Sequence, residues 1–289
     1  MGAVHFKKEM AEEGGVVMEL RFEDVDFGYK NQAQVLHKIN LTINEPGLTC
    51  IIGPNGVGKS TLVKCMNKLL IPNSGKVTLD DREVKDFNLK ELSTITSFVP
   101  ATSMDNFSLN VIDTVLMGRH PYSKIGSEKE DMHIVYGILK SLNITHLAMR
   151  NYNELSAGQH QKVSIARGLA QEPRILILDE PTANLDIRHQ VKVIELLHDM
   201  AHEKGMTIIM ISHDLNVAAR YADKIIVMST PGVVYDVGEP HEVITKEMIR
   251  YVYGMNCTVV DNEGRPHIIL GSALSDEEVY ELHRSESSP

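Results

Sequence analysis

The sequence has few cysteines, no long apolar run and no excess of basic charge. Its 289 residues include three cysteines, Cys50, Cys65 and Cys257, without the paired spacing of a disulfide scaffold or a zinc ribbon. No apolar run approaches the roughly 18 residues that would span a membrane. With 29 Lys and Arg against 39 Asp and Glu, the formal charge of −10 disfavours broad nucleic-acid binding. We therefore expect a protein of a reducing compartment whose membrane role, if it has one, comes through a partner.

Strands alternate with helices along most of the chain. An alternating pattern at 16–27 is typical of an edge-type strand, and the helical stretch at 105–153 interrupts the alternation as an inserted subdomain. This order predicts an α/β domain with a largely parallel sheet. Its buried strands are predicted from the short apolar runs at 48–53, 175–179, 207–212 and 224–228.

A glycine-rich loop carries the strongest single motif. The segment GPNGVGKST (53–61) fits G-x-x-x-x-G-K-[ST] and lies between a strand and a helix, as a phosphate loop requires. Its glycines let backbone N–H groups surround a phosphate, while Lys59 reaches the outer phosphates and Ser60 ligates Mg²⁺. The predicted nucleotide-binding residues are Gly53, Pro54, Asn55, Gly56, Val57, Gly58, Lys59, Ser60 and Thr61.

Two carboxylates and a histidine follow buried strands. Asp179 and Glu180 come at the end of ILILDEP, and His213 comes at the end of TIIMISHDL. Ligands of open α/β sheets bind at this edge, where the strands end. We therefore predict Asp179 as a Mg²⁺ partner, Glu180 as the base for the attacking water and His213 as a residue that reaches the γ-phosphate.

A second helix start is suited to anions. Ser156 and Gln159, in LSAGQ, stand three apart ahead of an apolar pattern, which predicts a capping box. Backbone N–H groups at such an end attract anions, so the chain carries two sites of this kind. Tyr29 is a further candidate, either stacked on an adenine ring or simply packed, and its position in the sequence does not decide between them.

Together these motifs resemble those of ABC-type ATPases, in the same order and spacing. The resemblance extends over roughly residues 17–255 and rests on GPNGVGKST, LSAGQ, ILILDEP, NLD (184–186) and SHD (212–214). The segments VLMGRHPY (115–122) and VYDVGEPHEVIT (234–245) are similar to those in ATP-binding subunits of importers for iron–siderophore complexes, haem and cobalamin. The chain is therefore identified from its sequence as an ABC-type ATPase.

The resemblance implies a fold and a division into segments. The expected fold is α/β: a P-loop NTPase core with a mainly parallel sheet, an antiparallel N-terminal β subdomain and an inserted α-helical subdomain. We assign residues 1–15 to a flexible N-terminal segment and 16–255 to the ATPase domain, with its helical insert at about 104–165. Residues 256–289 are assigned to a C-terminal hairpin and a short helix.

The resemblance also implies how the second helix start is used. Two copies would pack head to tail, so that Ser156, Gly158 and Gln159 of one copy bind the nucleotide held by Lys59 of the other. Asp186 would lie in the loop that crosses between the subunits. Tyr29 would stack on adenine, and His213 would sense the γ-phosphate. Such a dimer implies integral membrane permease subunits as partners, a peripheral position on the cytoplasmic face of the membrane, and an external substrate-binding protein.

Two positions depart from the family pattern. Ala157 replaces the usual second glycine of the signature, with a mild expected effect. Ala101 stands where the family has a glutamine that helps to coordinate Mg²⁺ and links the nucleotide to the helical insert. The expected functional cost of Ala101 is to that link.

Two other functions remain as alternatives to a transport motor. A soluble ABC ATPase acting on nucleic acid or ribosomes is disfavoured by the acidic charge and by the short interval of 97 positions between Lys59 and Ser156, which leaves no room for a long coiled coil. A regulatory subunit that binds ATP without hydrolysing it is disfavoured by the intact Asp179, Glu180 and His213.

Overall fold

The computed structural model describes residues 18–101, 109–122, 128–183 and 185–286. The segment assigned above to residues 1–15 lies outside these ranges. Within them, no helix combines the length and apolar character needed to cross a bilayer.

The described residues form twelve strands in three sheets. In chain order these are β1 (Leu20–Gly28), β2 (Gln34–Ile43), β3 (Gly47–Ile52), β4 (Ser74–Leu79), β5 (Arg82–Glu83), β6 (Thr96–Val99), β7 (Ile175–Leu178), β8 (Thr207–Ile211), β9 (Lys224–Ser229), β10 (Val233–Gly238), β11 (Met255–Asn262) and β12 (Arg265–Ala273).

The same ranges hold ten α-helices and four short 3₁₀ turns. The helices are α1 (Lys59–Met66), α2 (Leu89–Ile95), α3 (Val111–Leu116), α4 (Glu128–Ser141), α5 (Ala157–Leu169), α6 (Ile187–Lys204), α7 (Leu215–Tyr221), α8 (Pro240–Val243), α9 (Lys246–Tyr253) and α10 (Asp276–Glu286). The 3₁₀ turns are Val84–Asp86, Met117–Tyr122, Thr145–Leu147 and Tyr152–Glu154.

The central sheet has the order β10–β9–β3–β8–β7–β6, and all its strands are parallel except β10. The side chains of successive residues in these strands pack into two different hydrophobic cores, one on each face of the sheet. Leu48, Cys50 and Ile52 face the helical side, whereas Ile51 faces the N-terminal strands and α1. Strands covered on both faces need apolar residues at every position, which explains their continuous apolar runs. The predicted fold class is confirmed.

A second, antiparallel sheet has the order β2–β1–β4–β5 and covers one side of the core. The prediction of an edge-type strand at 16–27 is wrong, because β1 pairs with β2 on one side and β4 on the other. Only one face of β1 is buried, and an alternating pattern reports a half-buried face rather than a free edge.

A buried arginine within VLMGRHPY anchors the helices of the insert assigned above, here called the helical region. Arg119 donates from Nε to Asp131 Oδ1 at 2.8 Å and from Nη1 to Glu172 Oε2 at 2.5 Å. Nη1 also donates to the Ala170 carbonyl at 2.9 Å. The guanidinium thus joins α4 to the end of α5, and losing one partner of such a buried set costs about 3–5 kcal/mol.

The C-terminal hairpin β11–β12 packs against α7. The Asn216 side chain accepts from the Ile268 N–H at 2.7 Å and donates to the Ile268 carbonyl at 3.2 Å. One amide thereby satisfies both backbone groups of a buried residue and fixes the hairpin on the ATPase core.

All three cysteines are free and buried. Burial raises the pKa of the Cys50 and Cys65 thiols to about 12, and it also raises the pKa of Cys257. A thiol with a raised pKa stays protonated, and a protonated thiol is a poor nucleophile.

Candidate active site

The phosphate loop joins β3 to α1 through glycines in left-handed or related conformations. Gly53, Gly56 and Gly58 have φ values of 148°, 83° and 97°. A Cβ on Gly53 would lie 2.3 Å from the Met228 carbonyl, so a side chain there is excluded. Gly58 is the N-cap of α1 and has no side chain to bond the first turn. The backbone N–H groups in the first turn of α1 therefore remain available for a phosphate.

Lys59 lies folded across this loop. Its Nζ donates to the carbonyls of Gly53 at 2.7 Å and Pro54 at 2.8 Å, and the residue is only 5 % exposed. Burial lowers the pKa of the amine, while the carboxylates of Glu180 and Asp179 act in the opposite direction. A phosphate entering the loop would replace two neutral carbonyls with an anion, which is the stronger partner for an ammonium group.

Ser60 and Asp179 meet between the first turn of α1 and the end of β7. Ser60 Oγ donates to Asp179 Oδ1 at 3.1 Å. Burial raises the pKa of the Asp179 carboxyl, although the Ser60 hydrogen bond opposes that shift. A cation bound here would relieve the cost of burying the charged form. A hydroxyl and a carboxylate are hard oxygen ligands of the type Mg²⁺ prefers, so the pair fits this ion.

Glu180 and His213 are in direct contact. His213 Nε2 lies 2.6 Å from Glu180 Oε1, so the ends of β7 and β8 bring the two predicted residues together. Glu180 has φ of 51°, a left-handed conformation that is uncommon for glutamate. Asp214 caps α7 by accepting from the N–H groups of Asn216 and Val217, which fixes the backbone beside His213.

Tyr29 lies beside the phosphate loop. Its hydroxyl is 3.3 Å from Thr61 Oγ1, and its ring packs edge-on against Phe27 at a centroid distance of 5.0 Å. The side chain is partly exposed at this position. Packing against Phe27 and access to a ligand are therefore both present, while stacking on adenine stays a prediction.

The signature helix α5 begins with the expected cap. Ser156 Oγ accepts from Gln159 N at 3.4 Å, and Ser156 N donates to Gln159 Oε1 at 3.0 Å. The predicted capping box is confirmed. Ser156, Ala157 and Gln159 lie near the surface, and a Cβ on Gly158 would lie 3.0 Å from Leu185. This end of α5 is thus accessible to a second molecule.

Asp186 caps α6 from an exposed position. Its Oδ1 accepts from the His189 N–H at 2.9 Å, and Oδ2 lies 2.7 Å from His189 Nδ1. These contacts, the backbone N–H first, lower the pKa of the Asp186 carboxyl. Asn184, in the same motif, lies outside the described residues.

Ala101 follows β6 and is partly exposed. Residues Thr102 and Ser103, whose hydroxyls could turn towards a metal, lie outside the described ranges. The way in which the site manages without the glutamine therefore stays a prediction.

Tyr253 is a site residue that the sequence did not reveal. Burial raises the pKa of its phenol, and the nearby Gly53 backbone acts in the opposite direction. Tyr253 also lines a groove of about 480 Å³ with Glu180 and His213. The 200 positions between Tyr253 and the phosphate loop hide this contact, and no motif surrounds it.

Comparisons with known proteins show the family of the chain. Residues 36–183 match the ABC transporter family. An ABC transporter ATP-binding protein of Methanocaldococcus jannaschii is 40 % identical, with 88 % of this chain and 98 % of that protein covered. The ferric enterobactin transport ATP-binding protein of Escherichia coli is 36 % identical over 88 % of this chain and 94 % of its own length.

Solved structures agree as well. A transporter described as a metal-chelate type ABC transporter, in an inward-facing conformation, gives a TM-score of 0.75 at 27 % identity, covering 89 % of this chain and 98 % of the other. A dimeric ATP-binding cassette bound to ADP and Pi gives 0.68 at 29 % identity, covering 76 % and 98 %. We conclude that the chain belongs to the ABC transporter family and is one of its ATPases.

Proposed function

We propose that this protein is the ATP-hydrolysing motor subunit of an importer for iron–siderophore complexes or a related metal chelate such as haem or cobalamin. The observation that carries the proposal is the convergence of Lys59, Ser60, Asp179, Glu180 and His213 at one edge of the central sheet. The relative named for ferric enterobactin transport and the neighbour of the metal-chelate type support the cargo class.

In the proposed reaction, water attacks the γ-phosphorus, the bond from that phosphorus to the β-phosphate oxygen breaks so that ADP leaves, and Glu180 accepts the proton from the water. The 2.6 Å contact with His213 holds Glu180 at the end of β7, where the carboxylate faces the groove. Lys59 and the N–H groups of the loop bind the phosphate oxygens on which charge develops. Positioning and electrostatic stabilisation supply most of the catalysis in phosphoryl transfer.

Magnesium is the metal that the donor set at this site fits. Ser60 and Asp179 would hold it, Asp179 through a water molecule, and the ion would neutralise phosphate charge when bound with ATP. The 3.1 Å hydrogen bond between these side chains keeps both oxygens together in advance.

The nucleotide site is completed by a second copy of the chain. The start of α5, with Ser156, Gly158 and Gln159, is accessible and suited to an anion, and Asp186 lies exposed at the start of α6. A two-fold axis would bring each of these against the phosphate loop of the other copy, giving two equal sites. ATP then bridges the subunits, and hydrolysis removes the bridge, so the two states of the dimer differ in contacts.

Permease subunits would bind an apolar surface next to the helical region. Leu89, Met117 and Met149 are 72 %, 44 % and 78 % exposed. Leu89 begins α2, which packs against the 3₁₀ turn that begins at Met117, and Ala148 accepts from Ile112 of α3. Neighbouring exposed apolar side chains of this kind are a feature of protein–protein contact sites. In this proposal the motor lies on the cytoplasmic face of the membrane, and an external binding protein delivers the cargo.

Purification from detergent-solubilised membranes tests the proposal. A tagged Glu180→Gln variant, loaded with ATP and Mg²⁺, is expected to retain a multi-span permease, because a trapped dimer keeps its partner. Leu89→Asp with Met149→Asp should lose the permease but keep ATP binding. Tyr280→Asp, at another exposed apolar position, is the matched control.

Cargo dependence completes the test. With the permease and its binding protein in liposomes, hydrolysis should rise when the binding protein carries a ferric siderophore, haem or cobalamin. Recovery of ribosomes or nucleic acid in place of a membrane protein would overturn the proposal in favour of a soluble ABC ATPase.

A further inference from the structure

Two histidines and an aspartate meet at the edge of the central sheet opposite the phosphate loop. His198 and His202 stand one turn apart near the C-terminal end of α6, and Asp223 precedes β9. One ligand atom from each of the three residues lies within 4.8 Å of the others. All three side chains are partly exposed, at 33 %, 47 % and 34 %. The loop, Glu180 and His213 lie where the parallel strands end, whereas this cluster lies where they begin.

The tautomer of His202 is fixed by a backbone carbonyl. His202 Nδ1 lies 2.8 Å from the carbonyl oxygen of His198, and a carbonyl only accepts, so Nδ1 carries a proton. The opposite atom, Nε2, lies 3.1 Å from Asp223 Oδ1. If the imidazole were neutral, Nε2 would direct its lone pair at the carboxylate oxygen of Asp223, and the two electron-rich atoms would repel each other. The pair therefore requires a cation at Nε2, either a proton or a metal ion.

Asp223 is oriented by the main chain as well. Its Oδ2 accepts from the Leu48 N–H at 2.7 Å, at the start of β3, and leaves Oδ1 directed at His202. Metal-binding histidines commonly donate their second ring N–H to a carbonyl, and ligating carboxylates are hydrogen-bonded in turn. Both outer partners of that arrangement are present here and are supplied by the backbone.

We propose that His198, His202 and Asp223 form a site for a divalent transition-metal ion such as Zn²⁺, Co²⁺, Ni²⁺ or Cu²⁺. Two imidazoles and a carboxylate are a donor set these ions accept, and exogenous water fills the remaining coordination. His202 Nε2 and Asp223 Oδ1 are already 3.1 Å apart, and the partly exposed His198 ring can turn towards them when an ion binds. The partial exposure of all three side chains gives the ion access from solvent.

The site is independent of the nucleotide and of the transported cargo. The ion would connect the C-terminal half of α6 to the starts of β3 and β9, three elements that are distant in sequence. The other end of α6 is capped by Asp186, which is proposed to meet the second copy. An ion at this site would therefore stiffen the helix that carries a contact between subunits.

Metal titration of the untagged full chain tests the site, without nucleotide and with Mg²⁺ in excess. Calorimetry with Zn²⁺ and pulsed electron paramagnetic resonance with Cu²⁺ should show one ion per chain, with two imidazoles bound to Cu²⁺. His198→Gln should weaken binding by at least the about 10–100-fold that losing an outer-shell partner costs. That substitution spares the His202 and Asp223 hydrogen bonds, so folding is retained. His146→Gln, at another exposed histidine, is the control and should bind as the unmodified chain does.

Thermal unfolding gives a second measurement. Zn²⁺ should raise the melting temperature of the unmodified chain and of His146→Gln, but not that of His198→Gln or Asp223→Asn. Asparagine at 223 can still accept from Leu48, so the comparison isolates the lost carboxylate charge. Absence of stoichiometric binding, or binding that persists in both variants, would overturn the proposal and leave a proton as the cation between His202 and Asp223.

Discussion

The starts of α1 and α5 are both suited to anions, and they are built in opposite ways. At α1 the N-cap is Gly58, no side chain bonds the first turn, and Lys59 lies buried across the loop. At α5 the N-cap is Ser156, whose hydroxyl and backbone N–H are both engaged with Gln159 in a closed box at the surface. The first site has its backbone N–H groups and its cation, Lys59, in one chain. The second has a closed capping box and no cation among its cap residues, so we expect it to bind a phosphate that the phosphate loop of a second copy holds.

The largest expected effect comes from changing Glu180, the proposed base beside the phosphate loop. Glu180→Gln should reduce ATP hydrolysis by about 10²–10⁴-fold, the usual contribution of a general base, and leave ATP binding in place. Glutamine keeps the length and a hydrogen-bonding oxygen for His213. Phosphate release and nucleotide binding are the measurements. Glu195→Gln, at an exposed position of α6, is the control. Near-normal hydrolysis would exclude Glu180 as the base.

The second-largest effect is expected on the affinity for ATP, from a substitution in the phosphate loop. Lys59→Ala removes a charged hydrogen bond, which should weaken ATP binding to the chain by about 1.5–3 kcal/mol. Equilibrium binding of a fluorescent ATP analogue measures this loss. Lys90→Ala, at an exposed position of α2, is the matched control. Equal affinities for the two variants would show that the carbonyl contacts of Lys59 persist when nucleotide binds.

At the start of α5 we expect a substitution to prevent dimerisation while ATP binding is kept. Ser156→Arg places a bulky cation at the start of α5, so it should abolish the ATP-dependent dimer of the Glu180→Gln background. ATP affinity of the single chain should stay within about tenfold, or 1.4 kcal/mol, because the phosphate loop is intact. Light scattering with and without ATP measures the dimer.

Ser141→Arg, at the exposed end of α4, is the control for the Ser156 substitution. A Ser156→Arg chain that still dimerises with ATP would contradict the head-to-tail arrangement. Mixing Ser156→Arg with Lys59→Ala chains sharpens the result, because a mixed dimer has one site with both lesions and one with neither. Recovered hydrolysis in the mixture would show that one intact composite site can turn over.

A smaller effect is expected behind the phosphate loop. Tyr253→Phe removes a largely buried hydroxyl that interacts with the Gly53 backbone, so the free energy of unfolding should fall by about 0.5–1.5 kcal/mol. Denaturant unfolding measures it, and Tyr280→Phe on exposed α10 is the control. A stability unchanged from the native chain would mean that water replaces the hydroxyl at no cost.

The smallest effect on binding is expected at Ala101. Mg²⁺ readily keeps several water ligands, so one missing side-chain oxygen can be replaced by water. Ala101→Gln should therefore leave nucleotide affinity within about tenfold, or 1.4 kcal/mol, while changing how strongly permease and cargo stimulate hydrolysis. A crystal structure with Mg²⁺ and an ATP analogue decides the geometry. Direct ligation of the metal by Thr102 or Ser103 would contradict the water-filled account.

The sequence predicted those features that depend on short stretches of chain. The fully apolar runs predicted the parallel strands, and the Ser156 and Gln159 spacing predicted the cap, because each is decided within one helical turn or one strand. The pairing of β1 on both sides was missed, since a half-buried strand has the same pattern at an edge and in the middle. Tyr253 and the pair of His202 with Asp223 were missed because their contacts join distant elements without a shared motif.

The burial of the three cysteines has a practical consequence for measuring the proposed dimer cycle. Because Cys50, Cys65 and Cys257 are shielded and their thiols are kept protonated, the native chain is already a background without reactive thiols. A single cysteine placed at exposed Gln32, in the loop after β1, and another at exposed Asn153 ahead of α5, can each accept a spin label or a fluorophore. The distance between the two labels, one on each copy, would then report opening and closing of the subunits during hydrolysis with the core sequence unchanged.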